Sequence, residues 1–86
     1  MFNIIEKYMN KLTINDVNNF ALSKGCTLSE DELNFTYSFI KKNWQKIIKN
    51  PNLFNIDQYK NHYTEQNFIK IKKVFQEYFQ KFSSFL

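Results

Sequence analysis

The lone cysteine, Cys26, and the lone histidine, His62, are the side chains best suited to chemistry at neutral pH. Brought together they would form a thiol and imidazole pair, in which the base activates the sulfur as a nucleophile. Their settings argue against that use. Cys26 directly follows Gly25, where a helix end wants a small apolar contact, and His62 falls near the end of a short helical pattern, where a cation favours the helix dipole. One histidine and one cysteine are also too few for a zinc centre. The acids fall at helix starts: Glu30, Asp31 and Glu32 in one first turn, Asp57 and Glu65 in two others. There they stabilise amide groups that lack partners. The chain is therefore read as a non-enzyme with no metal, cofactor or small-molecule substrate.

Basic residues are the other candidate chemistry. The net charge is +4 and every basic side chain is Lys. Arg makes the bidentate contacts to phosphate and to guanine, so its absence speaks against reading a DNA sequence. The abundance of Lys, Asn, Ile, Phe and Tyr is also what a genome rich in A and T encodes without functional pressure. One stretch still stands out, "FTYSFIKKNWQKIIKN" from Phe35 to Asn50, where rings and lysines alternate.

The elements that place these residues follow from repeated helix-start patterns. Leu12-Thr13-Ile-Asn-Asp16-Val17 and Leu28-Ser29-Glu-Asp-Glu32-Leu33 each read as an apolar residue, a hydroxyl N-cap, an acid three positions on and a further apolar residue. That is a capping box with a hydrophobic staple. Looser versions occur at Phe54-Asn55-Ile-Asp-Gln58-Tyr59 and Tyr63-Thr64-Glu-Gln-Asn67-Phe68. With Gly25 and Asn50-Pro51 as stop signals, the pattern predicts helices at about 2–11, 14–24, 30–49, 56–62 and 65–82. The first is inferred from a stripe of Phe2, Ile5, Tyr8, Met9 and Leu12, which either packs on its own core or docks in trans. Two similar helix starts do not make a solenoid, which needs three or more repeats. With one Gly and one Pro in 86 residues, the expectation is a single all-α domain, a compact orthogonal bundle of four to five helices spanning 1–86.

At about 100° per residue, Leu33, Tyr37, Ile40, Trp44, Ile47 and Ile48 share one face of the 30–49 helix, which is core. Lys42, Lys46 and Lys49 lie opposite. Phe35 and Phe39 fall beside the lysines. Either a second helix, the first or the fifth, covers these rings, or Phe35, Phe39, Lys42 and Lys46 form an exposed patch for a protein or a single-stranded nucleic acid. On the last helix, Phe68, Ile71, Val74, Phe75, Tyr78, Phe79 and Phe82 form a broad apolar face. Lys70, Lys73 and Lys81 stand across from it, with Glu77 expected to pair with them at i, i+4.

An unpaired cysteine is expected in a reducing compartment. The opening Met1-Phe-Asn-Ile-Ile-Glu-Lys-Tyr carries charges where the apolar core of a signal peptide would run, and no stretch reaches the ~20 apolar residues of a membrane span. A cytoplasmic location is expected.

Taken together, "LTINDVNNFALSKGCTLSEDELNFTYSFIKKNWQKIIKNP", "FNIDQYKNHYTEQNFIKIKKVFQEYF" and the length resemble a family of small uncharacterised proteins of low-GC Gram-positive bacteria, domain of unknown function 2624. The likeness covers most of the chain from about Leu12 and includes the Lys-Ile-x-x-x-Phe run from Lys70 to Phe75. It implies a small helical cytoplasmic protein and no known activity, so no residue role is carried over. The functional expectation is a non-catalytic binding or regulatory module that recognises a protein or assembles with itself. The alternative is weak nonspecific nucleic-acid binding through Lys42, Lys46, Lys49, Lys70 and Lys73.

Overall fold

Helices leave their first amide groups without partners, and this chain supplies those partners locally at two starts. The computed structural model of the protein describes residues 2–50 and 54–83, and side chains at 3–50 and 54–81. Phe2, Phe82 and Pro51, used above, therefore lie outside the described side chains. The order is α1 (Phe2–Lys11), α2 (Ile14–Ser23), α3 (Glu30–Lys49), a 3-10 helix (Ile56–His62) and α4 (Glu65–Ser83). No strand occurs among the described residues. The chain is an all-α bundle.

At the start of α2, Thr13 Oγ1 accepts from the Asp16 amide at 3.1 Å while Asp16 Oδ2 accepts from the Thr13 amide at 2.9 Å. Ser29 and Glu32 repeat this at α3, at 3.2 and 2.8 Å. Each such cap contributes about 1 kcal/mol. Helix α2 ends one residue earlier than its pattern predicts, with Lys24 as C-cap. Beyond it the Gly25 amide donates to the Leu22 carbonyl at 2.9 Å and the Cys26 amide to the Ala21 carbonyl at 2.8 Å. This Schellman ending needs a left-handed residue, and Gly25 has φ +77°. Cys26 and Ala21 are both buried.

The two looser starts differ from expectation. Asn55 Oδ1 accepts from the Asp57 amide at 3.0 Å, two residues on, rather than from Gln58. That tight turn leads into a 3-10 helix, not an α-helix. Thr64 Oγ1 accepts from the Asn67 amide at 3.2 Å, but the Asn67 side chain turns away and leaves the other half of the box to another residue.

Helix α3 is central, packing against α2, the 3-10 helix and α4. Its Ile40, Trp44, Ile47 and Ile48 are buried, as are Ile71, Val74, Phe75, Tyr78 and Phe79 of α4. Leu33, Tyr37 and Phe68 are half-buried at the margin. Burying a side chain of this size stabilises the fold by roughly 1.5–3 kcal/mol. The Phe20 ring of α2 meets the Tyr78 ring edge-on at 5.1 Å. Helix α1 docks in cis. Its Ile5, Met9 and Leu12 are buried, Lys41 Nζ donates to the Met9 carbonyl at 2.7 Å and the Tyr37 hydroxyl to the Leu12 carbonyl at 3.2 Å. A cation at these last carbonyls also suits the helix dipole. Tyr8, placed on the same stripe, is instead 41% exposed beneath Lys81. The radius of gyration is 12.3 Å, close to the ~12 Å of a compact chain of this length.

Candidate functional site

The most elaborate polar arrangement surrounds Glu32, a carboxylate only 4% exposed. Its Oε1 accepts from the Ser29 amide at 2.8 Å and from Asn67 Nδ2 at 2.7 Å, and its Oε2 accepts from the Thr64 amide at 2.7 Å. Glu32 thus completes its own capping box and also the unfinished one at the start of α4. Asn67 Nδ2 reaches the Thr27 carbonyl as well, at 2.9 Å. One turn along, Thr36 Oγ1 donates to the Glu32 carbonyl at 2.7 Å. With that single proton used, the Tyr63 hydroxyl, 2.7 Å away, is the donor to Thr36.

The chemistry of this cluster is structural. Burial would raise the Glu32 pKa, but the donors Ser29, Thr64 and Asn67 outweigh it and hold the carboxyl below its ordinary 4.5. A carboxylate with occupied lone pairs and a lowered pKa is a poor general base at neutral pH. Burial likewise pushes the Tyr63 phenol up to about 12, so its proton stays in the Thr36 bond. Burial is also the main reason that the Cys26 thiol, fully enclosed, is raised. An enclosed thiol of raised pKa is the inert kind.

His62 is engaged elsewhere. Its ring stacks on Phe35 with centroids 3.8 Å apart and planes 6° from parallel. Tyr59 and Tyr63 also meet Phe35, each at 5.8 Å. Phe39 is 6% exposed, enclosed by Tyr59 at 4.7 Å, Phe54 at 5.5 Å and Phe75 at 5.8 Å. The exposed patch of Phe35, Phe39, Lys42 and Lys46 is therefore corrected: the 3-10 helix and α4 cover its rings. The covering element is chiefly the shortest helix, whose Tyr59 and His62, with the Tyr63 that caps its end, meet Phe35 of α3.

The lysines stand as the helical spacing places them. Lys42, Lys46 and Lys49 of α3 and Lys70 and Lys73 of α4 are all exposed. Glu77 departs from its expected i, i+4 role and pairs with Lys24 across to α2 at 2.9 Å. Asp57 of the 3-10 helix pairs with Lys72 at 2.9 Å. From 33 to 56 the sequence contains four lysines and no acid. Among the described residues no three of His, Cys, Asp and Glu converge as a metal-binding group. No helix there is long and apolar enough to cross a membrane.

Beside this basic stretch lie two clefts that share Ile47 and Phe54. One, of about 380 Å³, has Ile47, Ile48, Phe54, Ile56, Phe75 and Phe79 as its apolar lining. The other, of about 370 Å³, is edged by Lys46, Asn43, Asn50 and Gln58. Such volumes lie in the range of small ligand sites. Sequence reasoning missed this surface because Phe54 reads only as a helix staple and the amides only as composition. Lys46 is the single predicted site residue that reaches it exposed; Phe39 contributes to the second cleft from within the core.

Fold and surface together define a small all-α bundle whose buried polar groups cap helices and whose apolar clefts open at a basic face. No protein-family model, curated protein or solved structure matches the chain.

Proposed function

We propose that the chain is a non-catalytic helical binding or regulatory module that engages a protein partner, or a second copy of itself, through the double cleft around Phe54. The observation that carries this reading is the pairing of an apolar floor, Ile47 to Phe79, with an edge of amides and Lys46. Apolar surface framed by polar groups is the usual anatomy of a recognition site. The chemical alternatives are weaker, since the acid, thiol and imidazole best placed for catalysis serve caps, core and a ring stack. A cytoplasmic setting is part of the proposal and rests on the buried, unpaired Cys26. The resemblance to domain of unknown function 2624 fits this picture and adds no residue role.

A second reading, weak nonspecific binding of single-stranded nucleic acid, is favoured by the exposed Lys42, Lys46 and Lys49 stripe with no acid from 33 to 56. Covered rings at Phe35 and Phe39 remove its stacking platform. Sedimentation equilibrium of the purified chain, at low and high salt and with or without a single-stranded oligonucleotide, separates the two. A chain that ignores the oligonucleotide supports the protein-binding reading. Oligonucleotide binding that weakens with salt, with a log-log slope near about −2 for three lysines, would reverse the ranking.

A further inference from the structure

The charge around the double cleft narrows the partner, an inference that rests on reading the cleft as a binding surface. We infer that the cleft takes an acidic protein segment carrying a bulky apolar side chain, the apolar group entering beside Phe54 and the acids lying along Lys46 and its neighbour Lys42. Lys46 edges the second cleft, and Lys42 and Lys49 sit one turn to either side of it on the same helical stripe. All three are exposed.

Among the described residues, the acids on the elements next to this face are paired. The first acid beyond α3, Asp57, is held by Lys72 at 2.9 Å, and Glu77 of α4 by Lys24 at 2.9 Å. Asp16 and Glu32 are tied into capping boxes. A ligand acid at this face therefore meets the exposed Lys42 and Lys46. Opposite charge across an interface speeds encounter and fixes register, while a buried apolar anchor supplies most of the affinity.

A second copy would have to pack its α3 antiparallel to bring the exposed acids Glu30 and Asp31, about 24 Å along the helix from Lys46, onto these lysines, and it is one of the outcomes of the test. Nucleic acid would use the same lysines but has no need of an apolar cleft.

The test is selection of a displayed random-peptide library on the intact chain, followed by fluorescence anisotropy of the enriched peptides with wild type, Lys46→Glu, Lys46→Gln and Lys73→Glu. The expected outcome is enrichment of sequences with Asp or Glu flanking Trp, Phe, Leu or Met. Affinity should fall about tenfold in Lys46→Glu and less in Lys46→Gln, and stay within about twofold in Lys73→Glu. The side-chain amide resonances of Asn43, Asn50 and Gln58 should move on binding. Neutral or basic winners, or indifference to Lys46→Glu, would overturn the acidic partner; the cleft would survive as a binding surface if those amide resonances still moved. No enriched peptide at all would overturn both. Two parallel arms, a single-stranded oligonucleotide and vesicles with anionic lipid, overturn the inference if either shows the Lys46 dependence that the peptides lack. Concentration-dependent self-association lost in Lys46→Glu would reassign the cleft to a second copy.

Discussion

The amide of Thr64 donates to Glu32 Oε2 at 2.7 Å across 32 positions of sequence, so one carboxylate starts two helices. The same side chain holds the Ser29 amide and Asn67 Nδ2. Three donors on one buried acceptor make this the polar group whose loss the fold should feel most.

Glu32→Gln tests that directly. A glutamine offers one carbonyl oxygen, and its NH₂ must face at least one of the three donors. The expected loss is about 2–3 kcal/mol of unfolding free energy, the cost of leaving buried donors without a charged acceptor. Asn67→Ala, which removes one of the bonds and keeps the carboxylate, should lose about 1 kcal/mol. Urea unfolding monitored by circular dichroism measures both, and a Glu32→Gln midpoint equal to that of wild type would show that the cluster contributes nothing.

The same carboxylate gives the fold an acid dependence of known sign. Its folded pKa lies below the ordinary value of 4.5. Its contribution is therefore complete above about pH 4.5 and is lost as the pH falls through the folded value. Melting temperatures of wild type and Glu32→Gln should differ most near neutral pH and converge on acidification. A gap that stays constant from about pH 7 to about pH 3 would show that Glu32 is not the group responsible.

The stack of His62 on Phe35 predicts a coupling. Truncating Phe39, which is enclosed, should cost about 3–5 kcal/mol, whereas Phe35→Ala and His62→Ala should cost less and be non-additive. The interaction energy expected from the double-mutant cycle is about 0.5–1.5 kcal/mol. If Phe35→Ala leaves stability unchanged, the ring is not covered and the exposed patch returns.

Helix starts and faces were legible because their causes are local. Thr13 with Asp16 and Ser29 with Glu32 are three residues apart, and the Gly25 ending needs only its own backbone. The faces of α3 and α4 follow from a 3.6-residue period. What covers Phe35 was not legible, because a period marks a ring as off the main face without saying which element meets it. The 3-10 helix that does so was visible only as a short capped segment. The second role of Glu32 was hidden for the same reason: its partners Thr64 and Asn67 lie on another helix. The cleft at Phe54 escaped notice because it arises between elements, where no single pattern records it.

The long-range bond to Thr64 also bears on the order in which the chain can become ordered during synthesis. When α3 emerges, Ser29 and Glu32 can close their own box at once, while the second carboxylate oxygen waits for a donor that follows 32 residues later. Helix α4 begins with a hydroxyl cap but must borrow its acid. Nascent chains cut before Thr64 should hold α3 against α1 and α2 with its own cap closed but its α4-facing side unpacked, and a piece carrying α4 alone should be poorly ordered at its first turn. The two long helices thus mature as one unit, completed by the later of the two.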